Sequence, residues 1–147
     1  MDEHLKRSIM IEHYQNPLNK GISDVAGYET TNMNSKTCID NLDFAVKIED
    51  NVIKDIKFDG EACAISTSSA SIMSELFKGK SVEEAKEIIE NYENMIDEKP
   101  YNKDVLGDAN VYDEIYKQPN RKKCALLPYE GLKKILKKDD LNEEEKW

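Results

Sequence analysis

Residues 42–58, LDFAVKIEDNVIKDIKF, decide the fold. Leu42, Phe44, Val46 and Ile48 alternate with Asp43, Ala45, Lys47 and Glu49, the two-residue period of a strand with one buried face. Asp50-Asn51 supplies turn residues, and Val52 to Phe58 reads as the returning strand of a hairpin, with Ile56 and Phe58 turned inward. Gly60 closes the unit, and a further short strand is expected near Tyr28 to Asn32.

Helical patterns flank this hairpin. Asp2 to Tyr14 carries acidic residues in its first turn and Leu5, Ile9, Met10 and Tyr14 at helical spacings, with Asn16-Pro17 ending it. Ala64 to Phe77 places Ile65, Ile72, Met73 and Leu76 on one face, diluted by Ser66, Ser68, Ser69 and Ser71. Serines this dense lower intrinsic helicity, so packing must hold the helix, and small side chains let it approach the hairpin closely. Ser81 and Glu84 form a capping-box pattern that opens a helix to about Glu98, its inward face being Val82, Ala85, Ile88, Ile89, Tyr92 and Ile96. Pro100 to Asn110 reads as a connection and Val111 to Lys117 as a short helix stopped by Pro119. Cys124 is expected to begin a last helix to about Lys138, with Pro128 in its first turn. The expected class is α+β, a small antiparallel sheet of about three strands covered on one face by helices. Residues 1–138 form a single domain and 139–147 an acidic tail with too little apolar content to pack.

Composition narrows the function. The 147 residues suit one domain, and 39% apolar content allows a modest core. A net charge of -9 argues against nucleic acid and anionic membranes, both of which demand clustered Lys and Arg. No apolar run approaches the ~20 residues of a membrane span, which points to a cytoplasmic protein in a reducing compartment. Three cysteines there are better read as buried thiols, reactive thiols or metal ligands than as a disulfide framework.

Each cysteine lies at the edge of an element: Cys38 in the loop NSKTCIDN (residues 34–41), Cys63 between Gly60 and a helix, Cys124 at the expected start of the last helix. Helix N-termini stabilise anions, so the Cys63 and Cys124 thiols are expected to ionise more readily, with Arg121, Lys122 and Lys123 adding positive charge beside Cys124. Together with Asp40, three thiolates suit tetrahedral zinc or an iron-sulfur cluster rather than Mg or Ca. The spacing contains no CxxC and is not that of a zinc finger; by spacing alone, three unrelated thiols remain as good a reading. His4 and His13 are read as surface or packing residues, and the serine run as a packing device, since no histidine base lies near it.

Taken together, Cys38-x-Asp40 before a hairpin, DGEACAISTSSASIM at 59–73, LGD at 106–108, RKKCALLPYEGL at 121–132 and HYQNP at 13–17 resemble the IscU/SufU family of iron-sulfur cluster assembly proteins over nearly the whole chain. The likeness is greater to the SufU branch, in which the second and third cysteines are further apart and no histidine stands beside the third. Here sixty residues separate Cys63 from Cys124, and Lys123 holds the histidine's place. The resemblance implies that Cys38, Asp40, Cys63 and Cys124 hold Zn(2+), that Arg121 supports the site, and that Cys38 accepts persulfide sulfur from a SufS-like cysteine desulfurase. It implies a sulfurtransferase-type accessory protein rather than a stand-alone enzyme, with a downstream Suf scaffold or apo-proteins as further partners. Its alternatives are a scaffold on which a transient [2Fe-2S] cluster is built by the same cysteines, and a non-catalytic module stabilised by zinc. Lys36 and Ile39 depart from the family's usual Pro and Gly around Cys38, and the loss of that Gly restricts the loop that must move during ligand exchange.

Overall fold

The computed structural model describes residues 1–35 and 39–145, with side chains described as far as Lys138. Its elements run α1 (Glu3–Gln15), β1 (Glu29–Asn34), β2 (Asn41–Glu49), β3 (Val52–Glu61), α2 (Ala64–Leu76), α3 (Val82–Ile96) and α4 (Pro119–Glu145). The sheet is antiparallel in the order β1-β2-β3, as the alternation of residues 42–58 predicts. The hairpin turn needs left-handed backbone at two successive residues, and Asp50 (φ 52°) and Asn51 (φ 63°), two residue types that tolerate it, supply it.

Leu42, Phe44, Val46, Ile56 and Phe58 are all fully buried, as expected, and so are Ala45 and Ile53. Strict alternation back from Phe58 and Ile56 would turn Lys54 inward instead. The register breaks between Lys47 and Ile48, where Lys47 faces Asp55 but Ile48 faces Ile53; Lys54 is the extra residue of a bulge, and Ile53 thereby reaches the core.

Helix α2 is the buried centre of the molecule, with every residue from Ser66 to Ser74 inaccessible. It packs against α1, α4 and β3, while α4 crosses β1 and β2. Close approach of α4 to the sheet depends on Gly131, where a Cβ would stand 3.0 Å from both Met33 Cγ and Phe44 Cδ2. Helix α3 has the expected capping box, Glu84 N–H donating to Ser81 Oγ and Ser81 N–H to Glu84 Oε1, each at 3.1 Å. Its expected apolar face is buried, joined by Met95. Tyr92 of α3 stacks on Tyr129 of α4 with ring centroids 3.6 Å apart, clamping the two helices.

Three expectations are corrected. Residues Val111–Lys117 do not form an α-helix: 3₁₀ turns span Gly107–Tyr112 and Ile115–Lys117, and the Asn110 side chain occupies the carbonyls of Lys103 and Gly107. Pro119 does not merely stop that segment. It opens α4, where its fixed φ and missing N–H cost nothing, so Cys124 lies in the second turn and Pro128 inside the helix. In α1, Leu5 and Tyr14 are exposed, whereas Lys6 is buried, its ammonium 2.6 Å from Asp113 Oδ1.

Among the described residues no helix is long and apolar enough to cross a membrane.

Candidate metal centre

The hairpin register builds half of the site. Asn41 faces Glu61 across the two strands, so Asp40, one residue before β2, and Cys63, two residues after β3, are brought together at the open end of the hairpin. Gly60 permits the closure: its φ is +128°, and a Cβ there would fall 2.1 Å from the Asn41 carbonyl oxygen. Only glycine fits. Asp40 is 2% exposed, and its Oδ1 accepts the Cys63 N–H at 2.8 Å.

Cys63 is the N-cap of α2. In place of the hydroxyl or carboxylate common at that position, its Sγ accepts the Ser66 N–H at 3.4 Å. The sulfur stands 3.9 Å from Asp40 Oδ2. Cys124 arrives from α4, buried, its thiol directed at the Asn120 carbonyl oxygen at 3.8 Å. One donor atom from each of Asp40, Cys63 and Cys124 lies within 4.8 Å of the others.

Two sulfurs and one carboxylate at these separations fit a tetrahedral soft-metal site, whose ligand-to-ligand edges are about 3.5 Å given zinc–sulfur and zinc–oxygen bonds of about 2.3 and 2.0 Å. Three ligands from segments as distant as residues 40 and 124 also explain why no short metal-binding motif is visible. Cys38, the fourth expected ligand, lies outside the described residues. Ile39 beside it is 71% exposed.

The surrounding charge differs from expectation. Because α4 starts at Pro119, Cys124 lies beyond the first turn, where the positive end of the helix dipole has faded. Lys122 pairs with Asp97 at 3.8 Å. Arg121, three residues before Cys124, is exposed in the first turn of α4.

The serine run does more than permit close packing. Ser66 Oγ donates to Asp40 Oδ2 at 2.6 Å and lies 3.1 Å from the Cys124 carbonyl oxygen. Ser69 Oγ and Tyr92 OH both donate to the Ala125 carbonyl, at 2.9 and 2.8 Å. Pro128 accounts for the contact to Cys124: it has no N–H to offer the Cys124 carbonyl four residues back, and its ring crowds that turn of α4. Ser71 Oγ accepts the Leu18 N–H at 2.8 Å and is 2.7 Å from His13 Nδ1, which gives that histidine the packing role expected of it. Ser66 is the site residue that sequence reasoning missed. Its signal was its place three residues after Cys63, where an N-cap's partner sits.

Residues 5–125 match the NifU-like N terminal domain. The chain belongs to the NifU-like N-terminal domain family. Among its relatives, the zinc-dependent sulfurtransferase SufU of Bacillus subtilis is 35% identical over 137 residues, covering 92% of each chain. The iron-sulfur cluster assembly scaffold protein IscU of Streptococcus pyogenes is 35% identical over 137 residues, covering 92% of this chain and 84% of its own. A candidate SUF-system scaffold protein from Fervidobacterium islandicum has a solved structure that superposes with a TM-score of 0.79 at 32% identity, covering 92% of this chain and 99% of its own. The IscU/SufU resemblance in the motifs thus agrees with both sequence and structure of this family.

Proposed function

We propose that the protein takes part in iron-sulfur cluster assembly as a zinc-dependent sulfur carrier, with Asp40, Cys63, Cys124 and Cys38 as the ligands. The observation that carries this reading is the convergence of Asp40, Cys63 and Cys124, from three separate elements, on one point within 4.8 Å. Similarity to a zinc-dependent sulfurtransferase over 92% of the chain supports it. Bound zinc would hold the cysteines as thiolates and moderate their nucleophilicity.

The partner in this reading is a cysteine desulfurase carrying a persulfide. The Cys38 thiolate attacks the terminal sulfur of that persulfide. A new S–S bond forms to Cys38, the old one breaks, and the desulfurase cysteine leaves as a thiolate, so no external oxidant or reductant is consumed. Asp40 serves as the ligand of lower affinity, since a fourth thiolate would bind a soft metal more tightly and open less readily. Ile39, exposed next to Cys38, puts a branched apolar side chain on the surface that the desulfurase would meet.

The same identity to a cluster scaffold favours a second reading, in which an iron-sulfur cluster is assembled on these cysteines. One set of measurements separates the two. Zinc and iron are quantified in protein purified under reducing conditions, and turnover of a SufS-like desulfurase is followed with wild type and Cys38→Ala. Sulfur transfer predicts about one zinc per chain and stimulation by wild type only. Zinc without stimulation overturns it, a stable iron-sulfur absorbance after reconstitution favours the scaffold, and metal content near zero removes the site itself.

A further inference from the structure

Asp40 is buried with both carboxylate oxygens already accepting hydrogen bonds, Oδ1 from the Cys63 N–H at 2.8 Å and Oδ2 from Ser66 Oγ at 2.6 Å. Oδ2 is the oxygen that faces the Cys63 sulfur, at 3.9 Å, and so the one directed toward a metal. The bond from Ser66 is short, as hydrogen bonds to ionised acceptors are. It lies on the very atom that would have to ligate.

Ser66 has one hydroxyl proton and two oxygen acceptors in reach. The second is the Cys124 carbonyl, at 3.1 Å. In an uninterrupted α-helix that carbonyl would take the N–H of the residue four positions on, but that residue is Pro128, which has none. The carbonyl of one candidate ligand is therefore kept available to a hydroxyl that otherwise engages another. The Cys63 sulfur, 3.5 Å from Ser66 Oγ, is a third acceptor once that thiol is ionised, and Ser66 is fully buried, so water offers no fourth.

We infer that Ser66 is a positioning residue that competes with the metal for Asp40, its proton resting on Oδ2 when Asp40 is off the metal and on the Cys124 carbonyl or the Cys63 sulfur when Asp40 is on it. This rests on the metal-site reading above and deepens it: the exchangeability of Asp40 comes from a neighbouring hydroxyl as well as from the carboxylate's own hardness. The consequence is a pair of substitutions with opposite signs. Ser66→Ala removes the competitor and strengthens Asp40 as a ligand. Pro128→Ala restores an N–H to the Cys124 carbonyl, makes it a poorer acceptor for Ser66, and biases the Ser66 proton toward Asp40.

The test measures transfer of zinc from the loaded protein to a chromophoric chelator, together with the visible d–d spectrum of the cobalt-substituted protein as a report on ligand field. Ser66→Ala is expected to release zinc about tenfold more slowly, the equivalent of one hydrogen bond to a charged group, Pro128→Ala to release it faster, and Ser66→Thr, which keeps the hydroxyl, to stay near wild type. The cobalt bands should shift in the first two variants and not in the third. A merely structural Ser66 would speed release in both Ser66→Ala and Pro128→Ala through loosened packing, and that outcome, or no change in either, overturns the inference. If Ser66→Ala does not fold, the sign and spectrum of Pro128→Ala decide alone. Wild type that binds no zinc sinks the metal-site reading and this inference with it. Wild type that binds zinc but fails to stimulate a desulfurase sinks only sulfur transfer, because the release rates are read without the partner.

Discussion

Gly60 helps to place Asp40, although nineteen residues lie between them. Gly60 lets the last rungs of the hairpin close against the Asn41 carbonyl, and Asn41 carries Asp40 into place. Gly60→Ala therefore forces either a backbone shift at Asn41 or a change in the Gly60 dihedral, an expected loss of about 1–3 kcal/mol. Urea unfolding should show that loss, and metal content should fall with it; an unchanged midpoint would mean that the strand end yields freely. At this scale the sequence was partly legible. Cys63 and Cys124 stood out as thiols at element edges, but with 30 acidic residues in the chain only the family resemblance joined Asp40 to them as a candidate ligand. Ser66 was missed, because in a run of hydroxyls its place three residues after Cys63 does not stand out until the partner of each is known. The expected N-terminal placement of Cys124 was wrong for a similar reason: a proline stops one helix or starts another, and only packing decides which.

The elements themselves followed their patterns where the period was strong. Alternation located the hairpin, and the Ser81–Glu84 box located α3 with its buried face apart from Met95, because each pattern repeats over several residues and has a single geometric solution. The bulge at Lys54 was invisible, since one extra residue leaves composition unchanged. Helix α1 was legible as a helix but not in its orientation. Its anchor is the buried Lys6, which reaches Asp113 beyond the 3₁₀ turn at Gly107–Tyr112. The hydrogen bond to Asp113 holds the Lys6 ammonium above its usual range, against the opposing cost of its burial. A raised folded-state value means that this stabilisation is whole below the unfolded lysine value of about 10.4 and is lost as pH rises through the folded one. Thermal melts of wild type should accordingly weaken from about pH 10 upward, with that alkaline slope reduced in Asp113→Asn; equal slopes in the two proteins would remove Lys6 from the account.

For the molecule as a whole, the proposed site would tie the sheet to the last helix. Residues 40 and 63 belong to the hairpin and 124 to α4, so a metal bound to all three cross-links segments that are otherwise joined by packing such as the Tyr92–Tyr129 stack and the Gly131 contact. Ligation of the native state alone stabilises by mass action, about 4 kcal/mol at a thousandfold excess over the dissociation constant. For a chain of this size that corresponds to about 10 °C in melting temperature. Chelator-stripped protein should melt lower than the zinc-loaded form by roughly that amount, and Cys124→Ser should erase the difference between the two states; a difference that survives the substitution would show that α4 is not part of the link. Because α4 also covers the sheet face formed by β1 and β2, its arrival has a meaning in time as well as in space. During synthesis residues 40 and 63 leave the ribosome well before residue 124 does. A nascent or prematurely ended chain thus lacks the Cys124 sulfur, so if the site holds metal as proposed, its ligand set is complete only in chains whose α4 has been made and docked.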